Sequence, residues 1–218
     1  MGQEGSEKWT AAADLQPTLP KSDGRSGMAG GVAGFDTGPG NVLMDLWCSR
    51  HTGASFDAAG AWAGNGKPSL PLLAELLNEP YFRRPAPKST GRDLFNERWL
   101  ARALKSFGVS TMPPPVDIQA TLLELTAHTI CDALSAHAID ALYACGGGAH
   151  NHALMQRLQT LMPAARVETT ASLGVPPDWV EAVAFAWFAL QAIDGIPANL
   201  PQVTGARGPR ILGAIYPA

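Results

Sequence analysis

Residues 32–47 read VAGFDTGPGNVLMDLW, and the fold assignment depends on this stretch. Val32 to Phe35 form a short, mostly apolar run, which is typical of the end of a strand. The glycines that follow predict a turn. Asn41 then precedes a run with helical apolar spacing, which predicts a helix capped by Asn41. The stretch therefore predicts a strand, a glycine turn that contains Asp36, and a helix.

The same order of elements recurs later in the chain. Ala141–Cys145 is a short apolar run, three glycines follow it, and a helix is predicted from about Asn151 to Leu161. Arg166–Thr169 predicts another short strand. Strands that alternate with helices are typical of an α/β layer fold.

Helices are predicted across much of the remaining chain. They cover Pro68–Leu77, Glu97–Lys105, a long helix that Asp117 caps, and Asp178–Ile193. The long helix has a broad apolar face and should be the central core helix; its apolar residues are Ile118, Leu122, Leu123, Leu125, Ile130 and Leu134. In the last helix, Glu181 fits a capping box with Asp178.

The composition is that of a globular protein with no bias toward nucleic acid or membranes. The chain has 218 residues, 46% of them hydrophobic and 16% charged, with a formal net charge of −3. No apolar run is long enough to span a membrane, and a cytoplasmic location is predicted. Residues 1–31 lack helical or strand periodicity and are predicted to be a flexible leader.

Isolated residue types have structural interpretations. The separated cysteines Cys48, Cys131 and Cys145 suit reduced core thiols better than a disulfide framework or a metal site. The tryptophans interpreted as core and helix-packing residues are Trp62, Trp99, Trp179 and Trp187.

Asp36-Thr37-Gly38 also has the form of an aspartic protease motif. That chemistry needs two carboxylates that share a proton, and therefore two such turns, or one turn used twice in a homodimer. The sequence has one, followed by a helix rather than a β-rich pattern. The protease interpretation is therefore rejected.

Glycine turns that lead into helices expose backbone N–H groups to an anion, so phosphate binding is the functional hypothesis for both turns. Neither turn matches the P-loop pattern. Asp36 could be a general base or a turn-forming residue, and its position leaves both open. His150 and His152 are interpreted as polar residues of a loop and a helix start. The turn Lys88–Arg92 could meet phosphate or sugar, although a solvated loop is the commoner explanation.

Several motifs together resemble one family. From residue 32 to residue 218, the order and spacing of GFDTGPGNVLMDLW, FDAAGAWAGNG, PKSTGRDLFN, DIQATLLELTA, CGGGAHNHALMQRL, PPDWVEAVAFAWFA and VTGARGPRILGAIYPA are similar to the C-terminal half of anhydro-N-acetylmuramic acid kinases. The resemblance implies an α/β domain of the actin-like ATPase and sugar-kinase (ribonuclease H-like) fold, covering residues 32–218. It also implies ATP-dependent conversion of 1,6-anhydro-N-acetylmuramic acid to N-acetylmuramic acid 6-phosphate in peptidoglycan recycling.

The resemblance also implies roles for particular residues. Asp36 would be the catalytic base and Glu181 a substrate contact. The residues near ATP would be Thr37, Gly38, Gly40, Gly146, Gly147 and Gly148. The partners are then the anhydro amino sugar and ATP, with Mg²⁺ implied by ATP and no metal ligand evident in the sequence. The oligomeric state is left open, with a homodimer as one candidate.

One family feature does not match this sequence. Family members open with a GTSxDG-type loop that cradles the ATP phosphates, and nothing in residues 1–31 resembles it. The chain is therefore expected to lack one wall of the cleft. An inactive fragment that only binds nucleotide or a partner protein is the alternative to a kinase.

Overall fold

The computed structural model describes residues 32–108 and 112–216. The chain divides into two units, Met1–Val32 and Ala33–Ala218. The helices and strands of the described residues belong to the second unit. The flexible leader predicted for residues 1–31 lies outside the described residues.

Helices dominate the second unit. In chain order its elements are α1 (Val42–Thr52), α2 (Ala61–Gly64), α3 (Leu70–Leu77), α4 (Glu97–Phe107), α5 (Pro115–Leu134), β1 (Ala141–Ala144), α6 (His152–Leu161), β2 (Arg166–Thr169), α7 (Val180–Ile193) and α8 (Pro201–Thr204). Short 3₁₀ turns lie between several of them, including Pro80–Arg83, Gly147–His150 and Pro177–Trp179. The predicted helices are confirmed, with ends displaced by up to three residues.

Helix α5 lies at the centre of the core, as predicted. Every residue from Ile118 to Ala127 is buried, and helices α1, α2, α3 and α6 all pack against α5. The buried hydrophobic cluster around it includes Leu43, Trp47, Leu72, Leu76, Trp99, Leu100, Leu154 and Leu158. A helix buried around its whole circumference fixes where the surrounding loops can lie.

Helix starts follow local capping chemistry. The side chains of Ser69, Asn96 and Asn151 accept hydrogen bonds from the first turns of α3, α4 and α6. Two capping predictions were wrong. Asn41 stands at the N-cap position of α1, but its side chain makes no cap hydrogen bond. Asp117 lies inside α5, and its carboxylate accepts a hydrogen bond from Lys67 N at 2.8 Å.

The early start of α5 has a simple cause. Pro115 occupies the first turn, where a missing N–H costs nothing and the fixed φ angle suits a helix. Pro115 therefore begins α5 two residues before Asp117.

Two strands form the sheet of the described residues. β1 and β2 are parallel and pair from Ala141 with Arg166 to Ala144 with Thr169. Helix α6 connects them and packs against β2, which confirms the mixed α/β architecture. The strand predicted at Val32–Phe35 was wrong, because residues 32–37 pair with no described strand.

The last predicted helix is divided between the 3₁₀ turn Pro177–Trp179 and α7. No residue of α7 is buried. The predicted capping box was wrong, because neither segment has a side-chain cap and the carboxylate of Asp178 contacts His150 instead. No helix in residues 32–108 or 112–216 is long and apolar enough to cross a membrane.

Predictions for tryptophan and cysteine side chains had mixed outcomes. Trp99 is buried as predicted and Trp62 packs against the core, whereas Trp179 and Trp187 are exposed. All three cysteines are free, but Cys48 is buried, Cys131 is half-buried and Cys145 is exposed. The tryptophan errors arise because α7 is apolar yet uncovered.

Candidate functional site

The Asp36 turn rests on the buried helix α5. The hydroxyl of Thr126 donates to the carbonyl of Gly40 at 2.7 Å. A Cβ atom at Gly38 would lie 2.8 Å from Oγ1 of Thr129, and Gly40 has a φ of +54°. Glycine is therefore needed at position 38 for close approach and at position 40 for backbone conformation.

The carboxylate of Asp36 is held by a loop distant in sequence. Its Oδ2 accepts hydrogen bonds from the Ser89 hydroxyl at 2.8 Å and from Thr90 N at 2.9 Å. Its backbone N–H donates to the carbonyl of Lys88 at 3.1 Å. Asp36 remains exposed, so its carboxylate is both oriented and accessible to a ligand.

Tyr81 also binds this turn through a hydrogen bond. Its buried hydroxyl donates to the backbone carbonyl of Asp36 at 2.7 Å. Burial raises the pKa of the Tyr81 phenol, and the negative charge of Asp36 raises this pKa further, although Arg84 opposes the shift. The phenol therefore stays protonated and remains a hydrogen-bond donor.

Lys88 faces inward rather than toward a ligand. Its ammonium donates to the carbonyls of Tyr81 and Phe82 at 3.3 and 3.1 Å, and it lies 4.8 Å from the centre of the Tyr81 ring. Interpreting Lys88–Arg92 as a solvated loop was therefore wrong for Lys88 and Thr90, which are half-buried, whereas Ser89, Gly91 and Arg92 are exposed. Ser89 and Thr90 both donate hydrogen bonds to the carboxylate of Asp36.

The structure brings the two glycine turns together at Asn41. A Cβ atom at Gly148 would lie 3.4 Å from Oδ1 of Asn41, and one at Gly147 would lie 3.6 Å from its Nδ2. The side chain that was expected to cap α1 therefore fills the space between the turns. Thr37, half-buried, lies in the first turn between Asp36 and Gly38.

The second glycine turn is attached to the start of α7. Gly146 has a φ of +69° and donates its N–H to the carbonyl of Pro177 at 3.0 Å. Nε2 of His150 lies 2.8 Å from Oδ1 of Asp178. His150, interpreted from the sequence as a loop residue, thus connects the glycine turn to the segment that leads into Glu181.

Glu181 is exposed in the first turn of α7. Within residues 32–108 and 112–216, no hydrogen bond connects it to Asp36. The structure therefore joins Glu181 to the second glycine turn through Pro177 and Asp178, but it does not join Glu181 to the first.

A cavity of about 350 Å³ adjoins both glycine turns. Its lining residues are Asn41, Met44, Asp45, Ser55, Phe56, Asp57, Ala59, Gly147, His150 and Asn151. The buried carboxylate of Asp57 accepts from Trp62 N and Ala63 N, each at 2.8 Å, and so holds the start of α2. A cavity with a few convergent polar groups has the form of a ligand pocket.

Asp45 also lines this cavity. Burial raises its pKa; the positive charge of Arg92 opposes this shift, and the negative charge of Asp57 adds to it. A shifted carboxyl group in a cleft is a candidate functional residue. Sequence analysis missed Asp45, although it is the one acidic residue on the first helical turns after Asn41.

The described residues contain no group of three or more His, Cys, Asp or Glu side chains that could hold a metal ion. Asp36, Asp45 and Asp57 therefore do not form such a group.

The family model and the relatives that match this chain carry the same description. The family model described as anhydro-N-acetylmuramic acid kinase matches residues 28–218. The chain belongs to this family. The resemblance identified from the motifs is confirmed.

Relatives named anhydro-N-acetylmuramic acid kinase are 52–56% identical to this chain. The Nitrosomonas europaea relative is 52% identical over 88% of this chain and 52% of its own length. The Bordetella avium relative is 56% identical over 85% of this chain and 49% of its own length. The Pseudomonas syringae pv. tomato relative is 54% identical over 86% and 51%. The chain thus spans about half the length of these relatives.

Replacing Gly38 with Ala tests the contact between the Asp36 turn and α5. The added methyl group overlaps Thr129, so we expect a loss of about 1–3 kcal/mol in the free energy of unfolding, measured with urea. Gly64→Ala is the matched control, because a Cβ there meets no atom within 4 Å. Thr129→Ala should restore part of the loss in Gly38→Ala; full additivity of the two changes would contradict the contact.

Replacing Asp45 with Asn tests the burial of its carboxyl group. The pKa of Asp45 in the folded protein is raised above its unfolded value of about 3.9. At pH values between these two pKa values, the folded protein therefore binds more protons than the unfolded chain. Wild-type stability from this group is therefore lost as pH rises through that window. We expect Asp45→Asn to gain stability relative to wild type from pH 4 to pH 7, in urea unfolding at each pH. A relative loss at pH 7 would show instead that the ionised carboxylate is stabilised by Arg92.

Proposed function

We propose that this chain carries the catalytic base and one wall of the cleft of an anhydro-N-acetylmuramic acid kinase. The reaction is ATP-dependent conversion of 1,6-anhydro-N-acetylmuramic acid to N-acetylmuramic acid 6-phosphate, in cytoplasmic recycling of peptidoglycan. The observation that supports this most is the exposed carboxylate of Asp36, oriented by Ser89 and Thr90 beside two adjacent glycine turns. On this proposal, residues 32–218 form the C-terminal domain of an actin-like ATPase and sugar-kinase fold.

Asp36 is the proposed general base. Its Oδ2 already accepts two hydrogen bonds, while no described residue bonds to Oδ1. Oδ1 would therefore take a proton from the water that attacks the anomeric carbon of the sugar. Opening of the anhydro bridge frees O6, which accepts the γ-phosphoryl group. The base must lie close to the sugar, and O6 must lie in line with ATP.

The nucleotide is proposed to lie against the two glycine turns, where Gly40 and Gly147 are exposed. The residues proposed to lie near it are Thr37, Gly38, Gly40, Gly146, Gly147 and Gly148. The cavity beside them is lined by Asp45 and Asp57, and two carboxyl groups disfavour phosphate there. Hydrogen-bond donors on the ribose or base suit this cavity better. The phosphates then lie at the exposed side of the turns, where backbone N–H groups can face them.

Mg²⁺ accompanies ATP and neutralises charge on its phosphates. The residues present fit a cation held mainly by phosphate oxygens and water, because the described residues supply no cluster of protein ligands. We assign no Mg²⁺ ligand to this chain. Asp36 performs its proposed proton transfer as a base and not as a metal ligand.

Glu181 is the proposed sugar contact. It is exposed in the first turn of α7, and the His150–Asp178 and Gly146–Pro177 contacts fix that turn against the nucleotide loop. An exposed carboxylate in this position can accept hydrogen bonds from sugar hydroxyl or amide groups.

Phosphoryl transfer depends on positioning and electrostatic stabilisation from both sides of the cleft. We therefore propose that the isolated chain does not turn over substrate and that activity needs the half of the kinase that it does not match. A fragment that binds nucleotide without catalysis is the second candidate, favoured by the same one-sided geometry.

The test combines this chain with the unmatched half of the Bordetella avium relative and follows ADP and sugar 6-phosphate. We expect turnover by the mixture and none by the chain alone. Asp36→Asn should eliminate turnover in the mixture while ATP affinity stays within about threefold, since the carboxylate acts on water and not on the nucleotide.

The matched control is Asp132→Asn, which makes the same chemical change at an exposed residue on α5 and should keep full turnover. Turnover by Asp36→Asn would remove Asp36 from its proposed role. Robust phosphorylation by the chain alone would refute the need for a second half.

A further inference from the structure

Arg92 is an exposed basic residue that follows the loop holding Asp36. Thr90 N lies 2.9 Å from Oδ2 of Asp36, and Arg92 is two positions further along the chain. Two residues of extended chain span at most about 7 Å. The side chain of Arg92 therefore starts close to the proposed base.

The backbone of Arg92 is fixed by the start of α4. Its carbonyl accepts a hydrogen bond from Nδ2 of Asn96 at 3.1 Å, while Oδ1 of Asn96 caps the helix. Phe95 N donates to the carbonyl of Gly91 at 3.0 Å, and the ring of Phe95 is buried. The side chain of Arg92 is thus carried by a rigid element of the fold, which suits a residue that must be positioned accurately.

Arg92 also adjoins the cavity beside the glycine turns. Helix α1 carries Asp45, which lines that cavity, and α1 meets the start of α4 through the ion pair of Arg50 with Glu97 at 3.4 Å. Burial raises the pKa of Asp45, and the positive charge of Arg92 opposes this shift. Arg92 is therefore connected to the turn of Asp36 by its chain and to the cavity by its charge.

The other basic side chains of this loop contact protein groups. The ammonium of Lys88 donates to two backbone carbonyls beneath the turn, and the guanidinium of Arg84 lies over the ring of Tyr81. Within residues 32–108 and 112–216, the guanidinium of Arg92 has no ion pair within 4 Å and donates no hydrogen bond. Its N–H donors can therefore face an anion.

The proposed positions of the nucleoside and the sugar determine the path of the ATP phosphates. The nucleoside lies in the cavity that Asp45 lines, and O6 of the sugar lies near Asp36. The triphosphate must run from the cavity toward Asp36, so the γ-phosphate is the phosphate nearest to Asp36. An arginine beside this path can bind phosphate oxygens through two parallel hydrogen bonds.

We propose that Arg92 is a further catalytic residue, which contacts the γ-phosphoryl group of ATP. As O6 bonds to the γ-phosphorus, the bond from that phosphorus to the β–γ bridging oxygen breaks, and ADP leaves with the electron pair. The proton of the attacking water goes to Asp36. Arg92 transfers no proton, and its N–H donors offset the negative charge of the phosphoryl oxygens in the transition state. This inference rests on the proposed function.

The carboxylate of the muramic acid is the other anion that an arginine here could bind. The sugar is proposed to contact Asp36 and Glu181, whereas the charge of Arg92 lies toward Asp45 and the nucleoside cavity. The position of Arg92 therefore favours the phosphate. The two sources of anionic oxygen are separated by comparing ATP, ADP and the anhydro sugar as ligands.

The experiment titrates the purified chain with each of these three ligands in a calorimeter. We expect Arg92→Gln to weaken ATP binding by about tenfold or more, because it removes charge-assisted hydrogen bonds to the γ-phosphate. Its affinities for ADP and for the sugar should stay within about threefold of wild type, since neither ligand carries that phosphate. Arg92→Lys should recover only part of the loss, because an ammonium cannot reproduce two parallel hydrogen bonds.

Turnover gives a second reading in the mixture with the unmatched half of the Bordetella avium relative. Arg92→Gln should lower kcat by about 10³-fold or more, as for other arginines that stabilise a transferring phosphoryl group. The KM for the sugar should change little. A merely structural role would not separate kcat from KM in this way.

Arg102→Gln is the matched control, because it removes the same charge from an exposed arginine of α4 that lines a separate cavity. It should bind ATP and turn over as wild type does, and the urea unfolding of both variants should match wild type.

Equal losses of ATP and ADP affinity in Arg92→Gln, or no loss of either, would overturn the role of Arg92. Weaker sugar binding with unchanged ATP binding would also overturn it and would assign Arg92 to the sugar carboxylate. Normal kcat of Arg92→Gln in an active mixture would reject its catalytic role and leave the proposed function standing. Absence of ATP binding by the wild-type chain would instead refute the proposed nucleotide site, and the role of Arg92 with it.

Discussion

A hydroxyl group on a buried helix fixes the position of the site. Thr126 lies in α5, is 2% exposed, and donates its only proton to the carbonyl of Gly40. A buried hydroxyl without a partner is costly, so this bond restricts the turn to one place on the helix. Thr129, one turn later, leaves room only for glycine at position 38. The turn of Asp36 is thus positioned by the core.

Other buried polar side chains of α5 act in the same way on other segments. Thr121 accepts from Ser69 N at the start of α3, and Glu124 forms an ion pair with Arg157 of α6 at 2.7 Å. The amide of Gln119 lies 3.4 Å from Asp57. One helix therefore supplies the apolar core and also fixes the loops and helices around the cavity.

Much of this architecture could be predicted from local sequence. Helical periodicity identified α3, α4, α5 and α6, and short apolar runs identified β1 and β2, because these signals depend on neighbouring residues. The strand before Asp36 was wrong, since strand formation requires a partner elsewhere in the chain. The capping predictions for Asn41 and Asp117 failed because tertiary contacts took both side chains.

The site itself was only partly predictable. The two glycine turns were found from their sequences, but Ser89 binds Asp36 across 53 positions, and no local pattern reports such a contact. Asp45 gave a weak signal as a polar residue beside Asn41. The roles proposed for Asp36 and Glu181 come from family resemblance, and the structure supplies an accessible, oriented carboxylate for the first.

On the proposed function, the turn of Asp36 and the turn at Gly146–Gly148 form one nucleotide site around Asn41. Hydrogen exchange of the purified chain with and without ADP tests it directly. If both turns bind the nucleotide, backbone amides in residues 36–41 and in residues 146–151 should exchange more slowly over the same range of ADP concentration. Protection of only one turn, or of neither at saturating ADP, would contradict it.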